Sequence, residues 1–147
     1  MKKNLLLVIA LLFSTGLMYA QADKVLGFWL TEEKGSQVKV FKATDGKIYG
    51  RVEWLDDDRE RLDTNNPDAN LSKQKVLGSL ILKGFTYNES KKQWEGGTVY
   101  DPDNGKTYTA YMWFEEDLNQ LHLKGYVMGM KFIGRQTLWI REKELRK

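Results

Sequence analysis

The stretch "YDPDNGKTY", residues 100–108, decides how this chain is read. Two aspartates, an asparagine and a glycine lie within five positions, a composition shared by calcium loops and tight turns. Upstream runs "QWEGGTVY" (93–100) and downstream "KTYTAYMWF" (106–114), both rich in β-branched and aromatic residues. Asn104-Gly105 between two such runs is the strongest short hairpin signal, because a type I′ turn needs positive φ at both central positions. An EF-hand loop would want an oxygen ligand at its fifth position, a distant Glu and flanking helices. Here the fifth position is Gly105 and the flanks read as strands. The stretch is a turn, and no metal site is expected.

A second segment repeats the pattern. "DGKIYGRVEW" (45–54) places Gly46, Lys47, Tyr49 and Trp54 where "NGKTYTAYMW" (104–113) places Gly105, Lys106, Tyr108 and Trp113. Four shared positions fit two hairpins that solved one turn problem better than an internal duplication. In "KIYGRVEW" (47–54), Ile48, Gly50, Val52 and Trp54 alternate with Lys47, Tyr49, Arg51 and Glu53, the pattern of a half-buried strand. Other strands are expected at 25–31, 37–43, 79–87, 92–100, 106–114, 120–127 and 134–142. Gly96-Gly97 inside one of them signals a bulge. Both prolines, Pro67 and Pro102, fall between strands, as the lost N–H requires.

Eight strands joined mostly by short links make an all-β antiparallel meander. Closing it into an up-and-down barrel removes both sheet edges; an open two-sheet sandwich is the alternative. The long link, residues 55–77, is mostly a solvated loop. In it Asn66 as N-cap and Pro67 at the first helical position predict a short helix.

The N-terminus points to export. Lys2 and Lys3 precede the apolar run "LLLVIALLF" (5–13), and Ala20-Gln21-Ala22 offers a small-residue cleavage pattern. Residues 1–22 therefore read as a signal peptide, cut after Ala22 or after Ala20, and residues 23–147 as one domain. The run is too short to span a bilayer, so the mature protein has no transmembrane segment. No cysteine is present, which excludes both disulfides and a lipid-bearing N-terminal Cys. Without Lys2 and Lys3 the net charge falls from +3 to +1, which gives no ground for a nucleic-acid partner. The expected location is the periplasm or the extracellular space; nothing sets an oligomeric state.

These motifs together resemble an uncharacterised family of small exported bacterial proteins, a domain of unknown function. The carriers are Gly27-x-Trp29, Asn66-Pro67-Asp68, "GGTVYDPDNGKTY" (96–108), "LHLKGY" (121–126) and "GRQTLWIR" (134–141). The resemblance implies export and a compact β domain, and brings no activity with it. More loosely, Gly27-x-Trp29 on the first strand and Arg141 on the last are similar to the lipocalins and their calycin relatives. There an Arg near the barrel end stacks on the Trp, so Gly27, Trp29 and Arg141 are implied to form the structural closure.

Little in the chain suggests catalysis. His122 is the only histidine and lies between Leu121 and Leu123, so in a strand it points away from them. One His and no Cys argue against zinc, no G-x-S-x-G elbow occurs, and no cofactor is implied. Aspartates are abundant, and Asp63 and Asp68 flank Asn66-Pro67, which makes them the alternative carboxylates for a hydrolase acting on carbohydrate or cell envelope. Aromatics give the leading expectation. If Ile48, Val52 and Trp54 face inward, the parallel hairpin turns Thr107, Thr109, Tyr111 and Trp113 inward too, with Leu121, Leu123 and Val127. Trp54, Tyr111 and Trp113 would then line a cavity for a small apolar or amphipathic ligand in a non-enzymatic barrel. A filled barrel serving as an envelope interaction module is the third reading.

Overall fold

The structure, a computed structural model, describes residues 20–127 and 129–147. Of the expected leader, residues 1–19 lie outside these, and Ala20–Ala22 form a helical turn. A 3-10 turn, Asp23–Val25, follows and leads into β1 (Gly27–Leu30). Then come β2 (Ser36–Lys42), β3 (Ile48–Leu55), β4 (Leu80–Asn88), β5 (Gln93–Asp101), β6 (Lys106–Phe114), β7 (Gln120–Tyr126) and β8 (Gly134–Glu142). Each strand pairs antiparallel with the next, and β8 returns to β1 to close the barrel. The expected strands agree with these to within two residues at every end.

Both hairpins turn on glycine, but neither is type I′. Gly46 and Gly105 have φ of 78° and 70°, whereas Asp45 and Asn104 keep negative φ. In the first hairpin Gly46 N–H donates to Ala43 O at 3.0 Å and Lys47 O accepts from Ala43 N–H at 2.9 Å. That is a three-residue loop with its glycine left-handed. In the second, Gly105 N–H reaches Asp101 O at 2.9 Å, and Asp101 pairs with Lys106 around four residues. The Asp101 carboxylate accepts from Asp103 N–H and from the Asn104 amide, so its oxygens serve the turn itself.

This difference of one loop residue corrects the expected facing of β6. Ile48 is buried, but its counterpart Thr107 is exposed; the buried positions of β6 are Ala110 and Met112, with Tyr111 and Trp113 on the opposite face. A one-residue offset exchanges the two faces of a strand. A bulge does the same to the end of β3. Gln37 pairs with Trp54 but Val38 pairs with Val52, so Glu53 is the extra residue and Trp54 leaves the inward set. A further bulge lies at Gly96-Gly97, as its glycines predict; a Cβ on Gly97 would sit 2.5 Å from the Phe85 ring.

The core fills the end of the barrel beneath the 3-10 turn. Trp29, Phe85, Trp94, Met112 and Leu121 are fully buried there. Phe114 joins two of them, with its ring 5.8 Å from Trp29 and 5.4 Å from Trp94, the latter edge-to-face. The opposite end is bordered by the links 31–35 and 102–105, by Val127 and by residues 129–133. The long link lies against the outer wall of β4–β6 and contains a single 3-10 turn, Leu71–Lys73. This turn is the short helix expected in the link, but it starts at Leu71, past Asn66-Pro67. Asn66 accepts from Asp68 N–H in an Asx turn, and Asp68 in turn accepts from Asn70 and Leu71 N–H where the 3-10 turn begins.

Candidate functional site

The open end holds a cavity of about 410 Å³. Its walls come from inward positions of β4 to β8: Ile81, Val99, Tyr108, Leu123, Thr137 and Trp139. Gly125 keeps it open, since its missing side chain would meet Tyr108 and Val99 at 3.2–3.3 Å. The Tyr108 hydroxyl accepts from the Asn104 amide at 3.1 Å, which ties the wall to the 102–105 turn. At the rim stand Glu32, Glu33, Asp101 and Asp103 with one cation, Arg135, which pairs with Glu33 at 2.5 Å. The site is an apolar chamber with a few hydroxyls and an acidic mouth. That equips it to hold a molecule.

The three aromatics expected to line a cavity are elsewhere, and the structure brings only two of them together, Tyr111 and Trp113, away from Trp54. Trp54 is buried on the outer wall beneath the C-terminal segment. Its indole donates to Lys147 O at 3.1 Å and the Arg146 guanidinium lies 5.1 Å over its ring. Gln37, fully buried beside it, binds Glu142, Glu144 O and Arg146 N–H. Tyr111 and Trp113 stack at 5.2 Å on the outer face of β6, and His122 stacks on Trp113 at 5.1 Å. His122 does point away from Leu121 and Leu123, but the stack leaves its side chain only 12% exposed. Val127, expected inside, is exposed at the mouth. The true lining residue Tyr108 was hidden by the face exchange on β6. Trp139 was legible in principle, because it lies two residues before Arg141, the closing residue, and so shares its face of the strand.

Asp63 and Asp68 are structural in their bonding. Asp63 is buried; Tyr100 O–H donates to one of its oxygens at 2.6 Å and the Asn66 amide to the other at 2.7 Å. Burial, and then the Asp63 contact, push the Tyr100 hydroxyl well above its ordinary value. Asp68 accepts from Asn70 N–H at 2.8 Å and Leu71 N–H at 3.2 Å, at the start of the 3-10 turn.

At the filled end, the Arg141 guanidinium lies 4.2 Å from the centre of the Trp29 ring. It also donates to Leu26 O at 2.9 Å, Lys24 O at 2.5 Å and Leu118 O at 3.1 Å. Trp29 in turn donates to Val25 O at 2.9 Å. Gly27, with φ of 131°, would place a Cβ 3.1 Å from Arg141, so this glycine makes room for the guanidinium.

The profile of a family described as uncharacterised proteins conserved in bacteria, DUF2147, matches residues 27–141. The chain belongs to the DUF2147 family. The match opens on Gly27 and ends on Arg141, so a DUF2147 domain here comprises the whole barrel, from one closing residue to the other. No curated protein matches the chain in sequence. Among solved structures it is similar to protein HP1028 from Helicobacter pylori, which is described as belonging to the lipocalin family. The TM-score is 0.71 over 82% of this chain and 84% of that one, at 23% identity. The likeness shows that this DUF2147 chain shares the lipocalin-type barrel fold.

Proposed function

We propose that the protein is an exported, non-enzymatic barrel that binds one small apolar or amphipathic molecule in its open end. The observation that carries this is the 410 Å³ chamber lined by Val99, Tyr108, Leu123, Thr137 and Trp139. Its size lies within the usual range of small-molecule sites. The binding place is the mouth, in place of the outer-wall aromatics Trp54, Tyr111 and Trp113. A hydrolase built on Asp63 and Asp68 is disfavoured, because Asp63 commits both oxygens to Tyr100 and Asn66 and Asp68 holds a turn. A pocketless interaction module is disfavoured by the chamber itself. Export rests on the leader features of residues 1–22, and the intact mass of secreted protein should correspond to a start at Asp23 or Gln21.

The test is titration with N-phenyl-1-naphthylamine, a neutral apolar fluorophore, followed by energy transfer from the protein's tryptophans. Saturable one-to-one binding is expected, and Thr137→Phe, which fills the chamber from within, should abolish it without lowering the melting temperature. Binding that survives Thr137→Phe, or no saturable binding to the native protein, would remove the mouth as the site.

A further inference from the structure

We propose that the groove between the long link and the outer wall of β4–β6 is a second binding site, for a small amphipathic anion. The groove encloses about 740 Å³ and shares only Tyr100 among its lining residues with the mouth. Its floor is the outer face of the wall, where Lys83 pairs with Thr98 and Tyr100 with Thr107. Its roof is the link itself, which presents Leu62, Pro67 and Leu71. The link is a built arch. An antiparallel bridge joins Leu62 to Lys75, and Asp63 N–H to Gln74 O and Val76 N–H to Arg61 O, at 2.9 and 3.0 Å, continue that pairing. The foot of the arch is fixed to the wall by the Tyr100–Asp63–Asn66 bonds, and its flank by Asn65 and Arg61 on the 102–105 turn. The span is thus held off the wall, leaving Leu62 and Leu71 each 45% exposed to the groove or solvent.

Charge decides what such a groove takes. Lys73, Lys75 and Lys83 line it, and the only acid among its lining residues is Asp63, whose oxygens are both occupied. Lys75 pairs with Glu60 at 2.6 Å, whereas Lys73 and Lys83 make no ion pair among the described residues. Two ammonium groups without an ion-pair partner among the described residues, one on the roof and one on the floor, flank leucines and the hydroxyls of Thr98 and Thr107. With Lys75 they outnumber the single carboxylate of Asp63. That combination suits a carboxylate or sulfonate carried on a short apolar body. The mouth, with four rim carboxylates against one arginine, disfavours the same molecule. The barrel therefore offers two sites of opposite charge preference.

The test uses 8-anilinonaphthalene-1-sulfonate with full-length mature protein, and N-phenyl-1-naphthylamine in parallel. The anionic probe should bind with one-site saturation, and Thr137→Phe should leave that binding intact. Lys73→Glu with Lys83→Glu should weaken it at least tenfold, while Lys73→Arg with Lys83→Arg retains it within threefold. Decanoate should displace the probe, and inorganic phosphate at the same concentration should not. Anionic binding indifferent to the charge reversal, or lost in Thr137→Phe, would overturn the proposal, as would displacement by phosphate equal to that by decanoate. The neutral probe reports on the mouth independently, so failure at either site is visible separately.

Discussion

Gly105 shows how much a single residue carries in this fold. Its φ of 70° already favours glycine, and a Cβ there would lie 1.9 Å from the backbone oxygen of Asn65 in the long link. Gly46 has a similar φ of 78° and open space around it. The pair separates two costs. Gly46→Ala should destabilise by about 1 kcal/mol, the strain of left-handed backbone alone. Gly105→Ala should cost about 2–4 kcal/mol, since the arch must also move off the turn and loosen the Asn65 bonds to Pro102 O and Asp103 O. Denaturant unfolding of both variants checks this; equal losses would show that the link tolerates displacement.

The β4–β5 hairpin is an element clipped by one carboxylate. Glu95 accepts from the Asn88 amide at 2.7 Å, from the Gln93 amide at 2.5 Å and from the Lys91 ammonium at 3.1 Å. These bonds, Asn88 first, hold the Glu95 carboxyl at a pKa of about 2, below its ordinary 4.5. Because the folded value is the lower one, the stabilisation is complete above about pH 4.5 and disappears as the pH falls towards 2. Stability should therefore decline through that window, and Glu95→Gln should show a shallower decline together with lower stability at neutral pH. Thermal melts at several pH values read both effects, and an unchanged slope in the variant would mean that other carboxylates set the acid limit.

At the scale of the whole molecule, closure depends on Trp29 and Arg141. The register sets Trp29 opposite Arg141 where the last strand meets the first, and the guanidinium binds three carbonyls as well as the indole face. Trp29→Ala should cost about 3–5 kcal/mol, as the ring is fully buried. Arg141→Lys should cost about 1–3 kcal/mol, because an ammonium can neither stack as a plane nor reach three carbonyls at once. The double variant should be less destabilised than the two losses added, by about 0.5–2 kcal/mol, the usual size of a cation–π contact. Strict additivity would place the work of Arg141 in its carbonyl bonds alone.

Residues with strong local preferences are legible in the chain itself. β-branched and aromatic runs between Gly, Asn, Asp and Pro locate eight strands, and the likeness to lipocalins implies that Gly27, Trp29 and Arg141 mark where the barrel closes. Strand identity is a local matter, set by backbone preference and period, so the chain alone determined the meander. Facing is not local. One additional residue in the 102–105 loop relative to 44–46, and one bulge at Glu53, exchanged the faces of Thr107, Tyr111, Trp113 and Trp54 without any change in strand pattern. Those aromatics look like core residues in sequence because they are covered, though by the C-terminal segment and by one another. The cavity at the mouth and the groove under the arch arise from contacts between residues far apart in the chain, such as Asp63 with Tyr100, 37 positions away. Pattern fixes which residues form strands; only tertiary packing decides which side of each strand encloses space.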